Sequence, residues 1–188
     1  MRNLLLLLTA FITLCLGEAS LQSGSYTRVD FMLTLSDGIK LDCTKLIPNG
    51  TPPAGGWPVA IITHGYGLSK FIELPSAEEF ANDNYYSFVY SMRGQGVSEG
   101  LSNFISTTET NDLKEVVQYI KNDANTNDNK IFIHGGSQGG IIPFMAACTG
   151  LNVKTIITDL ASPTAGSNWI ENGGIKMTFL WTSGYPSN

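Results

Sequence analysis

With 188 residues, 43% of them hydrophobic and 14% charged, the chain has the composition of one domain with a buried core rather than of a disordered segment. Its net charge of −5 lacks the excess of Lys and Arg on which phosphate-backbone binding runs, so nucleic acid is not an expected partner.

Residues 1–19 read as an export signal. Arg2 forms a short positive stretch, Leu4 to Leu16 an apolar run with five consecutive leucines, and the small residues Gly17 and Ala19 suit cleavage after either one. The run is shorter than the roughly 20 apolar residues that cross a bilayer. No stable membrane span is therefore expected after signal removal, and the mature protein is expected to be secreted or periplasmic. Cys15 follows Leu14 rather than a small residue, which disfavours a lipid-anchored alternative. Cys43 and Cys148 remain, an even count that allows a disulfide in an oxidising compartment. Two separate thiols are expected instead, because Cys is among the residue types most often buried.

From residue 20 onward, apolar runs alternate with helical patterns, the mark of parallel α/β architecture. Arg28–Leu35 and Ile39–Leu46 flank the turn Ser36-Asp37-Gly38 as an antiparallel hairpin. After a Gly- and Pro-rich loop, 58–63 is a continuous apolar run of the kind buried on both faces. A short helix is predicted around Ala77–Ala81, a strand over Tyr85–Met92, and a glycine-driven turn at Arg93-Gly-Gln-Gly96. Leu113, Val116, Val117 and Ile120 recur at helical spacing over Thr108–Lys121, with Thr110 and Asn111 offering caps. A polar loop over Ala124–Asn129 leads to a short strand, Lys130–His134; a helix follows at Ile141–Cys148 and a strand at Val153–Leu160.

The chemistry centres on Gly135-Gly136-Ser137-Gln138-Gly139, a G-x-S-x-G sequence between a predicted strand and a predicted helix. A serine on so sharp a turn is held in a strained conformation, and the small residues Gly135 and Gly139 relieve collisions that a Cβ would cause. The turn lifts the Ser137 hydroxyl to the N-terminus of the next helix, where the dipole and free N–H groups favour developing negative charge. A phosphate-cradling glycine loop would need a Lys after the glycines or a G-x-G-x-x-G spacing, and neither is present. Two backbone N–H groups are expected to form the oxyanion hole. One belongs to Gln138, and the other to Tyr66 in the loop Thr63-His64-Gly65-Tyr66-Gly67 that follows the strand at 58–63. The Tyr66 phenol is an alternative donor.

With these motifs in order, the chain resembles the α/β-hydrolase superfamily, nearest its Xaa-Pro dipeptidyl-peptidase and cocaine-esterase-like branch. The resemblance runs from about Val29 to about Trp181 and rests on the opening hairpin, the His64-Gly65 turn, Arg93-Gly-Gln-Gly-Val-Ser-Glu-Gly100, the elbow at Ser137 and the strand at 153–160. Ser91 stands where that branch often carries Asp. The resemblance implies a serine hydrolase that cleaves a small ester or peptide substrate through an acyl-enzyme, with no cofactor and no metal. It also implies an acid and a base on later loops, in the order Ser, Asp or Glu, His. The stretch after Ser137 holds one convincing strand, so both loops are expected to be missing, the fold to stop after about the sixth strand, and the chain to be inactive alone. His64 and His134 are expected to be structural, and Asp159 is an alternative acid. A non-catalytic module that binds a ligand or partner is the competing reading. Residues 20–160 are then the N-terminal part of the hydrolase domain. Residues 161–188, with Trp169, Phe179, Trp181 and Tyr185, read as the start of a cap whose aromatics either pack its core or line a substrate pocket.

Overall fold

The computed structural model describes residues 25–161, together with the backbone of 19–22, 170–171 and 174–175. The export signal at 1–19 and the cap at 161–188 fall outside the described residues apart from those short stretches.

One sheet runs in the order β1-β2-β3-β5-β4-β6-β7. Its antiparallel side is β1 (Ala19–Gln22), β2 (Tyr26–Thr34) and β3 (Lys40–Pro48), and β3 joins β5 (Tyr86–Tyr90) antiparallel. From there the sheet is parallel through β5, β4 (Trp57–Thr63), β6 (Thr126–Gly136) and β7 (Thr155–Asp159). Alternate residues of the central strands face opposite sides. Val59, Ile61, Ile131 and Ile133 pack under α2 (Thr107–Lys121) and α3 (Gln138–Cys148) through Leu113, Val116, Ile120 and Ala146. Ala60, Ile62 and Val89 pack under α1 (Leu74–Asn82) through Leu74, Ala77 and Ala81. Both faces are covered, which is why these strands are unbroken apolar runs.

Several boundaries differ from the sequence expectation. Helix α2 is capped by Ser106, not by Thr110 or Asn111. The Ser106 hydroxyl accepts the Thr108 N–H at 3.0 Å and bonds Glu109, while the Thr110 hydroxyl turns back to the Ser106 carbonyl at 2.8 Å. The cap lies at Ser106, and the Glu109 carboxylate reaches back to the Asn103 N–H at 2.7 Å, which leaves Thr110 already inside the helix. Strand β6 starts at Thr126, within the stretch expected to be a loop: Thr126 pairs with Trp57 and Ile131 with Val59. The register shift between them lets the polar residues 127–130 bulge out of the ladder. Helix α3 begins directly after Ser137, three residues earlier than its apolar pattern suggests, because glycines at 139 and 140 hide the start. Strand β7 is shorter than expected and mostly exposed.

The glycine turn at 93–96 is anchored from beneath. Arg93 makes a bidentate pair with Asp112 of α2, at 2.8 and 2.6 Å, and reaches Asp37 of the β2–β3 turn at 2.7 Å. Breaking a buried pair of this kind costs about 3–5 kcal/mol. Among the described residues Cys43 and Cys148 are both free: burial pushes the Cys43 thiol up to about 12, and Cys148 is exposed. Among the described residues no helix is long and apolar enough to cross a membrane.

Candidate active site

The ends of three parallel strands meet at Ser137. Thr63 of β4 pairs with Gly135, and Gly136 pairs with Asp159 of β7. The chain then leaves the sheet abruptly, with Ser137 at φ 53° and ψ −122°, and α3 begins on the next residue. Positive φ at a residue with a Cβ costs on the order of 1–3 kcal/mol and persists only where neighbours enforce it. Here the Ser137 N–H is tied to the Asp159 carbonyl at 2.9 Å, and its own carbonyl accepts the first helical N–H groups, from Gly140 and Ile141. The side chain is exposed.

The elbow glycines are required by β4 more than by the elbow itself. A Cβ on Gly135 would lie 2.1 Å from the Thr63 hydroxyl, and one on Gly139 would lie 2.3 Å from the Thr63 carbonyl. Thr63 also repairs a defect in α3. Pro143 lies inside this helix and cannot donate to the carbonyl four residues back, that of Gly139. The Thr63 hydroxyl donates to that carbonyl instead, at 2.7 Å.

The loop after β4 faces the serine closely. A Cβ built on Gly65 would lie 3.6 Å from the Ser137 Cβ. The backbone N–H groups of Gln138 and Tyr66 have no acceptor among the described residues. The Tyr66 ring stands edge-on to Phe104, with centroids 4.9 Å apart. Sequence reasoning did not identify what holds the two N–H groups in place. Gln95, almost fully buried, accepts the Gly67 N–H on its Oε1 at 2.6 Å and donates from Nε2 to the Gln138 side-chain oxygen at 3.0 Å. Gln138 in turn donates to the Phe104 carbonyl. One amide therefore bridges the loop and the elbow. The only sequence signal was a long polar residue between the two glycines of Arg93-Gly-Gln-Gly96.

Neither histidine is placed as a base for Ser137. The His64 ring is fully buried: its Nδ1–H donates to the Gly65 carbonyl at 2.7 Å and its Nε2 accepts the Met92 N–H at 2.9 Å. That pairing fixes the neutral tautomer, and burial lowers the ring's pKa. His134 lies on the α1 face of β6, in line with Phe132 and paired in register with Ile62.

Beyond the loop, a 3₁₀ turn at Lys70–Ile72 is stapled to the antiparallel strands. The Lys70 ammonium, 3% exposed, meets Asp42 Oδ1 at 2.5 Å, the Cys43 carbonyl at 3.1 Å and Asp30 at 3.3 Å. The Lys70 N–H donates to the Ser91 hydroxyl at 3.1 Å, so Ser91 serves this anchor.

The sheet order, the strand-turn-helix elbow and the glycine loop facing it define an α/β-hydrolase fold. The model of the X-Pro dipeptidyl-peptidase (S15) family matches residues 37–185. The chain belongs to that family. In structure it is similar to the acetyl xylan esterase 1 of Thermoanaerobacterium sp. JW/SL YS485, at 18% identity and a TM-score of 0.64 over 77% of this chain and 52% of that one. It is also similar to an acetyl xylan esterase from Paenibacillus sp. R4 (20%, 0.58, 70% and 48%) and to a CocE/NonD family hydrolase from Staphylococcus aureus (20%, 0.60, 74% and 30%). At these identities the likeness is one of fold. A curated relative, an uncharacterized 31.7 kDa protein of the traX-finO intergenic region of Escherichia coli, is 29% identical over 129 residues, covering 68% of this chain and 43% of that protein. The chain thus spans about half the length of the relatives it matches, or less.

Proposed function

We propose that this chain carries the nucleophile and the oxyanion hole of a serine hydrolase acting on a small ester or peptide. The Ser137 Oγ attacks the carbonyl carbon, and the N–H groups of Gln138 and Tyr66 hold the oxyanion. Collapse of the tetrahedral intermediate breaks the ester or amide bond; the alcohol or amine leaves with a proton, and water then hydrolyses the acyl-enzyme. One oxyanion donor of this kind contributes about 3 kcal/mol to transition-state stabilisation. This chemistry uses no metal or cofactor. The observation that carries the reading is Ser137 itself: exposed, at positive φ, on a strand end, with the Gln138 N–H beside it, which meets no acceptor among the described residues, and Gly65 opposite. With residues 1–19 read as an export signal, the site works outside the cytoplasm.

The base is a separate matter. The sequence holds two histidines; the ring of His64 is committed at both nitrogens and His134 belongs to the α1 face. Neither histidine is therefore positioned to activate Ser137 in the described geometry, and the chain alone is expected to be a poor catalyst. Fluorophosphonate labelling tests both claims. Labelling of the chain should be near background, should rise when free imidazole is added at millimolar concentration, and should not rise in Ser137→Ala. Fast labelling without imidazole would overturn the missing base. Equal labelling of Ser137→Ala would overturn the nucleophile.

A further inference from the structure

The segment after the glycine loop is built inside out. In the five residues from Leu68 to Ile72, the charged one, Lys70, is 3% exposed, while Leu68, Phe71 and Ile72 are 47%, 58% and 57% exposed. A solvated turn has the opposite arrangement, and three large apolar side chains exposed together form a patch, unlike the single exposed residues that any surface carries. With Gly67 and Ser69 they line an open hollow of about 440 Å³, within the size range of small-molecule sites. The hollow is held firmly from behind by the Lys70 pairs to Asp42 and Asp30. The Lys70 ammonium lies 5.5 Å from the Phe71 ring centroid and is turned toward those carboxylates, so the lining offers no unpaired charge.

Its position names its occupant. Leu68 Cδ1 and Ser137 Cβ lie 3.7 and 3.6 Å from the Cβ position of Gly65, so the leucine that lines the hollow is no farther from the serine than the sum of those two distances. We infer that the Gly67–Ile72 hollow binds the apolar part of the acyl group whose carbonyl is presented to Ser137, which makes the preferred substrate an ester or amide of an apolar acid longer than acetate. The substrate class rests on the reading of Ser137 as nucleophile; the binding site itself does not.

The test needs no turnover. Hexanamide and acetamide, each carrying the carbonyl with a longer or a shorter acyl chain, are titrated into the ¹⁵N-labelled full chain and the backbone amide shifts are followed. Hexanamide should shift the amides of Gly67 to Ile72 and of Gln138, and should bind about tenfold tighter than acetamide. Phe71→Ala should bring the two affinities together, Phe71→Leu should keep them apart, and Ile72→Ala serves as a second exposed variant if Phe71→Ala does not fold. No shift at Gly67–Ile72 overturns the proposal, including the case in which another part of the chain or a second copy already covers the patch. Shifts without any Ser137-dependent labelling would retain the hollow and discard the nucleophile, whereas labelling without shifts would do the reverse.

Discussion

The backbone strain at Ser137 is imposed by neighbours that leave no alternative: the Asp159 carbonyl holds its N–H, and the end of β4 excludes a side chain at 135 and at 139. His64 stands just across that gap, and its role is structural in a specific sense. By accepting the Met92 N–H and donating to the Gly65 carbonyl, it joins the glycine loop to the strand end that begins the 93–100 turn. Burial holds the ring neutral by lowering its pKa below the usual value of 6.5. The unfolded chain then binds a proton at a pH where the folded chain does not, so stability rises with pH through this window. The contribution of His64 is complete above about pH 6.5 and is lost as the pH falls from there toward the lowered value of the buried ring. Thermal melts between pH 5.5 and 7.5 should therefore show a midpoint that drops on acidification. His64→Gln should be less stable at neutral pH and show a flatter profile; an unchanged slope would assign the pH dependence to other groups.

Helix α3 illustrates a repair between elements. It carries a proline where a helix ordinarily needs a donor, and the carbonyl this orphans is satisfied by a strand residue, Thr63. Removing the hydroxyl by Thr63→Val should leave that buried carbonyl unpaired and cost about 1–3 kcal/mol. Pro143→Ala restores the helical N–H, so the same Thr63→Val change should cost less in that background. A double-mutant cycle by urea denaturation measures the difference, expected at about 1 kcal/mol. Additive changes would mean that Thr63 matters through packing alone. The cycle has a bearing on function because the first turn of α3 presents the Gln138 N–H, and Gln95 ties that turn to the loop carrying Tyr66. The Gly67 loop and the first turn of α3, which carry the two N–H groups proposed as oxyanion donors, are thus tied together by the Gln95 side chain.

On the scale of the whole molecule, the sheet is well covered at its centre and open at β7. Among the described residues β7 pairs only with β6, and Ile157 on it is 50% exposed, with Leu160 at 85% just beyond. An apolar edge strand of this kind is a template for pairing with other chains. The chain should therefore self-associate, and Ile157→Lys should reduce association in light scattering while leaving the melting midpoint nearly unchanged; persistent aggregation in that variant would place the sticky surface elsewhere. The order of elements and the place of the elbow could be read from residue patterns, because those signals are local: alternation under two-sided cover, helical spacing on α2, and glycines that flank a strained serine. The local pattern failed where a polar run was absorbed into a strand as a bulge, at residues 127–130, and where a cap lay one turn earlier than the apolar stripe, at Ser106. What the sequence alone determined is a mostly parallel α/β sheet that opens with an antiparallel hairpin and carries a serine elbow at the end of one strand. The tertiary structure decided the rest: that His64 is spent on two backbone groups, that Gln95 ties the loop after β4 to the start of α3, that Thr63 compensates Pro143, and that Lys70 turns inward while Leu68, Phe71 and Ile72 face out. Each of these depends on contacts between residues distant in the chain, and residue spacing carries no record of which distant partner a polar group will meet.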